Sequence, residues 1–188
     1  MFDKYNYLIL VSGMPGTGKT TFAKWLSSEF RIPLVCYDNI KEKSLMLARE
    51  SCENEEQMNN LWRFPLGFFF FFAEEIMKSS SSFIAETFFA NKMNDELNNL
   101  MEKYRYTTIT VHMDASFETA HRRFLDRNKN IPSVEGMRPM TIPFDKFVEG
   151  VRQNKEFRYG EHYIHVDTED FSKVLYNDIA VNIRRYLI

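Results

Sequence analysis

The sequence predicts an α/β fold: a parallel sheet covered by helices on both faces. Three observations carry that reading. Short apolar runs alternate with amphipathic helical stripes along the chain, as β-α-β crossovers require. Residues 13–20 fit G-x-x-x-x-G-K-[ST], and they fall between a predicted strand and a predicted helix. Four of the predicted strands lead into an acidic residue, at the sheet edge where open parallel sheets bind ligands.

In chain order, Tyr7 to Ser12 is short, apolar and closed by Gly13, which reads as a buried strand. Lys19 to Phe30 places Phe22, Ala23, Leu26 and Phe30 at helical spacing. Further strands are expected at Leu34 to Tyr37, Phe83 to Ala85, Thr108 to Met113 and Tyr163 to Val166. Met93, Leu97, Leu100, Met101 and Tyr104 form one apolar helical stripe, and Phe171, Leu175, Ile179, Ile183 and Leu187 form another. Two stretches break the rhythm. Residues 39–82 are too long for one crossover and are assigned to helices on the acceptor side. Residues 129–143 carry Pro132, Gly136, Pro139 and Pro143, and are expected to form a lid over the nucleotide.

With 188 residues, 44% hydrophobic and 27% charged, residues 1–188 read as one globular domain that needs no disulfide to fold. Cys36 and Cys52 lack metal-ligand spacing, and Cys36 in an apolar run suits a buried free thiol, as in a reducing cytoplasm. The chain reaches its phosphate-binding sequence within twelve residues of Met1, so a signal peptide is not expected. No apolar stretch approaches the roughly 20 residues of a membrane span. A net charge of −2 without a long basic run argues against a nucleic-acid partner.

Gly13, Met14, Pro15, Gly16, Thr17, Gly18, Lys19, Thr20 and Thr21 form the expected ATP site. The glycines let backbone N–H groups curl around phosphate oxygens, and the helix N-terminus adds its dipole. Lys19 is assigned to the β- and γ-phosphates, as an exposed residue outside the core, and the Thr20 hydroxyl to Mg2+. No D-x-x-G follows, and Asn91-Lys92-Met93-Asn94 lacks a guanine-reading aspartate, which argues against a GTPase. The chain is also short for the large mechanical ATPases with extra sensor domains, which leaves compact kinases.

The acids at the strand ends each have two readings. Asp114 precedes Ala-Ser-Phe-Glu, a helix start, and is read as a turn or capping residue. Asp167 and Thr168 open a turn whose backbone borders the adenine. Asn39 is paired with Glu42 as a cap, which frees Asp38 to act as general base towards the acceptor hydroxyl; the alternative is that Asp38 is itself a cap. Glu86 either holds a magnesium-bound water or the acceptor, or is a solvated strand end. Arg123 and Arg127, four apart on one helical face, either stabilise the γ-phosphate or form a solvated basic helix end. Arg138, within the lid, is a weaker acceptor-side candidate. His112, His121, His162 and His165 show no partner pattern and are read as structural.

These residues resemble the small P-loop kinases that include polynucleotide kinase, chloramphenicol phosphotransferase and the zeta toxins. The resemblance rests on G-M-P-G-T-G-K-T-T at 13–21, V-C-Y-D at 35–38, F-I-A-E at 83–86, V-H-M-D at 111–114, R-R-F-L-D-R at 122–127 and H-V-D-T-E-D-F at 165–171. It implies a five-stranded parallel sheet in the order 2-3-1-4-5, with Asp38 as the base on the acceptor and Arg123 and Arg127 facing adenine and phosphates. Those kinases often carry aspartate where this chain has Glu86. The resulting expectation is an ATP- and Mg2+-dependent kinase of a small hydroxyl acceptor. Its rivals are a nucleoside or nucleotide kinase, a polynucleotide 5′-kinase, a nucleotide-sugar kinase of the toxin type, and a nucleotide-dependent switch that binds a protein. The run Phe68 to Phe72 covers every face of a helix, so it is expected where two apolar surfaces meet: core layers, an acceptor pocket shared with Trp62 and Phe64, or a homodimer contact.

Overall fold

The structure is a computed structural model that describes residues 6–50, 52, 57, 64–130 and 141–187. The order is β1 (Asn6–Gly13), α1 (Lys19–Phe30), β2 (Leu34–Cys36), α2 (Tyr37–Arg49), α3 (Phe64–Lys78), β3 (Phe83–Glu86), α4 (Asn94–Tyr104), β4 (Tyr106–Asp114), α5 (Phe117–Asn130), α6 (Phe144–Lys155), β5 (His162–Asp167) and α7 (Tyr176–Tyr186). Short 3-10 turns occupy Asn91–Met93 and Phe171–Lys173. All five strands run parallel in the order β2-β3-β1-β4-β5, as the resemblance implied.

The alternation of side chains along β1 builds the two layers. Tyr7, Ile9 and Val11 face a core completed by Phe22, Ala23 and Leu26 of α1 and by Ile179, Ala180 and Ile183 of α7. Leu8 and Leu10 face the opposite core, with Phe69, Ala73 and Met77 of α3, Leu97 and Leu100 of α4, and Phe157. Because both faces of β1 are covered, its residues from Tyr7 onward are buried, and the strand reads as an apolar run instead of an alternating one. A smaller cluster of Met14, Ala120, Phe147 and Val151 ties the loop after β1 to α5 and α6.

Three expectations change. β2 stops at Cys36, and Tyr37 and Asp38 already belong to the first turn of α2. The cap position is therefore Cys36, without a side-chain capping hydrogen bond, and Asn39, inside the first turn of α2, does not stand at the cap. The stripe from Phe171 to Leu187 is helical only from Tyr176; Phe171 and Leu175 lie before it and are exposed. Finally, of the three placements expected for the phenylalanine run, a helix sandwiched between core layers does not hold among the described residues. Phe69 is buried, Phe70 is half-buried, and Phe68, Phe71 and Phe72 are 44%, 52% and 47% exposed. α3 thus buries an ordinary stripe of Pro65, Phe69, Ala73 and Met77. Trp62, and residues 131–140 of the expected lid with Arg138, lie outside the described residues.

Candidate active site

The loop after β1 is shaped by close approach. Gly16 (φ 89°) and Gly18 (φ 82°) hold left-handed conformations that disfavour side chains. A Cβ on Gly16 would fall 2.5 Å from the carbonyl oxygen of Ala120 in α5, and one on Gly18 would lie 3.0 Å from the Phe171 ring. The Thr17 hydroxyl and amide both donate to the Met14 carbonyl (2.8 and 3.3 Å), closing the loop on itself. Gly18 stands at the N-cap of α1 and offers no side-chain acceptor. Amides of the first turn therefore keep the partial positive charge that binds anions.

Beside this turn lies a cleft of about 450 Å³, lined by Gly16, Gly18, Lys19, Thr20, Thr21, Lys24, Asp38, Asn39, Arg123, Arg127 and Phe171. Phosphate-binding backbone, a hydroxyl, a carboxylate and two guanidinium groups thus share one cavity. Glu86 lies behind two of these residues, Lys19 and Thr20. Its carboxylate is 1% exposed and is held by three groups: Lys19 Nζ at 3.7 Å, the Thr20 hydroxyl donating to Oε1 at 3.2 Å, and the Cys36 thiol donating to Oε2 at 2.8 Å. Parallel pairing sets this up, because Cys36 and Glu86 are register partners at the ends of β2 and β3. Burial first, and then the charge of Glu86, push the Cys36 thiol up to about 12, so it stays a protonated donor at neutral pH. Glu86 is thus no solvated strand end, and Lys19, 6% exposed, is not the exposed group expected from the sequence.

Arg123 and Arg127 both reach the cleft, but they are held differently. Arg123 donates to the carbonyls of Thr168 (2.7 Å) and Glu169 (2.9 Å) and stacks 3.8 Å above the Phe171 ring. Arg127 has a buried Nε with no partner among the described residues. Thr168 is buried, and its amide and hydroxyl both donate to the Asp114 carbonyl (2.7 and 2.8 Å), while the Asp167 carboxylate accepts from the Glu169 amide at 2.8 Å. The loop of Asp167 and Thr168 is thereby pinned under Arg123.

Asp114 does not cap α5. Its carboxylate pairs with Lys155 (3.1 Å) and His165 (3.4 Å). Ser116 and Glu169 do the capping: the Ser116 hydroxyl accepts from the Thr119 amide at 3.2 Å, and Glu169 accepts from the Ser116 amide at 2.7 Å and from the Thr119 hydroxyl. The Ser116 amide and the Thr119 hydroxyl together hold Glu169 down at about 2. His121 contacts the Ile142 carbonyl at 2.7 Å, and His162 stacks on Tyr186. His112 is 1% exposed, and burial lowers it to about 4.

Sequence reasoning missed Asn154, which is fully buried and donates to Ser12 Oγ (2.9 Å) and to the Phe89 carbonyl (2.7 Å). It joins α6 to the base of the phosphate loop. An asparagine in an amphipathic helix carries no sequence signal for that role, whereas Phe171 was visible but was counted with the α7 stripe.

Fold and site together define a P-loop NTPase domain. The model of the AAA family, "ATPase family associated with various cellular activities", matches residues 9–131, from β1 to the end of α5, and the chain belongs to that family. Its fold matches that of a candidate kinase from Chloroflexus aurantiacus j-10-fl, with a TM-score of 0.81, 24% identity, and 99% of this chain and 100% of the other covered. A gluconokinase from Sinorhizobium meliloti 1021 (TM-score 0.56, 13% identity, 98% and 91% covered) is also similar. So is a sugar kinase from Janibacter sp. HTCC2649 (0.55, 14%, 97% and 94%). At these identities the likeness is one of fold. Among the described residues, no helix is long and apolar enough to cross a membrane.

Proposed function

We propose that this chain is an ATP- and Mg2+-dependent kinase that transfers the γ-phosphoryl group to a hydroxyl of a small-molecule acceptor. The observation that carries the reading is the shared cleft: Asp38 faces the same cavity as Lys19, Thr20 and the two arginines. A carboxylate in the same cavity as the phosphate loop is what transfer to a hydroxyl acceptor asks for. The Thr20 hydroxyl beside the buried Glu86 carboxylate is a hard oxygen pair that suits magnesium. When bound, the ion neutralises charge on the phosphate oxygens.

The protein's own part is positioning and electrostatics. The amides at the start of α1 hold phosphate oxygens. Lys19 turns from Glu86 to the β- and γ-phosphates as a point charge. Arg127, whose Nε has no partner among the described residues, adds charge on the γ-phosphate, while Arg123 keeps the 167–169 loop and Phe171 in place around the nucleotide. Asp38 accepts the proton as the acceptor oxygen attacks, a role that typically contributes 10²–10⁴ in rate. The test is a screen for ADP release with ATP and Mg2+ over sugars, sugar acids, phosphorylated sugars, nucleosides and aminoglycosides, with Lys19→Ala as the control. One acceptor class should accelerate ADP release in the wild type and not in the control. Turnover that no acceptor changes would favour the switch.

A further inference from the structure

We propose that Cys36 is a positioning residue that keeps the Glu86 carboxylate aimed once nucleotide has drawn Lys19 away. The inference rests on the reading above, in which Thr20 and Glu86 serve the metal.

A carboxylate buried as deeply as Glu86 has to be compensated by charge or hydrogen bonds. Among the described residues three groups do this in the free protein, and one of them leaves during the reaction, since Lys19 is needed at the phosphates. The Thr20 hydroxyl can give an oxygen lone pair to the metal while its hydrogen stays on Oε1. Oε2 then depends on Cys36. Its thiol donates to Oε2 from the neighbouring strand end, and the β2–β3 register fixes that geometry. Oε1 stays with the Thr20 hydroxyl, which lines the cleft, while the thiol anchors Oε2. Partners that orient a metal-side group typically change metal affinity or activity 10–100-fold when removed.

The experiment reads metal binding separately from turnover. Mn2+ affinity is measured by electron paramagnetic resonance on the full chain with a non-hydrolysable ATP analogue, for the wild type and for Cys36→Ser, Cys36→Ala, Cys36→Val and Glu86→Gln. Analogue affinity without metal is measured alongside, and melting temperatures identify any variant that fails to fold. Cys36→Val keeps the site filled without a donor, so the comparison survives if the alanine variant collapses. Cys36→Ala and Cys36→Val should weaken Mn2+ about 10–100-fold, as Glu86→Gln does, with metal-free analogue affinity unchanged. Cys36→Ser, which restores a donor, should stay close to the wild type. If the alanine and valine variants bind Mn2+ normally while Glu86→Gln does not, the role of Cys36 is overturned and that of Glu86 stands. If serine weakens binding as much as alanine, the thiol acts by packing and the proposal falls. If Glu86→Gln also binds normally, the assignment of Glu86 to the metal falls and takes this proposal with it.

Discussion

Replacing Lys19 with methionine should damage stability as well as activity. Lys19 and Glu86 are 7% and 1% exposed at their side chains and lie 3.7 Å apart. At an effective dielectric constant of about 20, their attraction is worth about 4 kcal/mol. Methionine retains the stem's packing but leaves the carboxylate without its cation, and breaking a buried pair in this way typically costs about 3–5 kcal/mol. For a chain of this length, each kcal/mol shifts the melting temperature by about 2–4 °C. The drop for Lys19→Met should therefore fall between about 6 and 20 °C. Glu86→Gln in the same chain should recover much of it, because the orphaned charge is then gone. Calorimetry of the two single variants and the double variant reads this coupling directly. A melting temperature for Lys19→Met within 2 °C of the wild type, or a double variant no more stable than Lys19→Met, would refute the account of Glu86 as an ionised group held by Lys19. Phosphoryl transfer should be nearly abolished in both Lys19 variants.

Three further outcomes follow from the site and the core. Asp38→Asn should lower acceptor phosphorylation about 10²–10⁴-fold while leaving ATP affinity nearly intact by titration calorimetry; an equal loss of ATP binding would reassign Asp38 to the nucleotide. His112 is kept neutral by burial down to about pH 4, whereas the unfolded chain protonates near 6.5, so stability should fall by about 3 kcal/mol as pH drops from 6.5 to 4. His112→Leu should flatten that stretch in urea denaturation, and an unchanged slope would place the acid sensitivity elsewhere. Phe69→Ser should cost about 3–5 kcal/mol, against about 1 kcal/mol or less for Phe68→Ser, Phe71→Ser or Phe72→Ser, and equal losses at all four would make the run plain core.

Much of the frame was legible because it rests on local signals. A motif of fixed spacing between an apolar run and a helical stripe placed β1, the phosphate loop and α1, and Glu86, Asp114 and Asp167 do end their strands, at the sheet edge that carries the loop. The strand order came from the resemblance, since periodicity carries no information about which strands are neighbours. Contacts between distant residues were the part that stayed hidden. Cys36 meets Glu86 only because β2 and β3 pair in one register, and Asn154 reaches Ser12 across 142 positions. Asp38 was assigned to a strand end because Tyr37 suits a strand, yet packing of Tyr37 against Phe69 sets it at the start of α2. The phenylalanine run could not be divided from sequence alone: only tertiary packing decides that Phe69 is buried while Phe68, Phe71 and Phe72 are left exposed.

The central claim, transfer to an acceptor with Asp38 as base, is tested most directly by following the γ-phosphoryl group itself. Single-turnover reactions with γ-labelled ATP, Mg2+ and the acceptor identified by the screen should place the label on the acceptor in wild-type protein. Asp38→Asn should slow that appearance without redirecting it. Label recovered as inorganic phosphate at a rate indifferent to the acceptor, and unchanged in Asp38→Asn, would contradict the account.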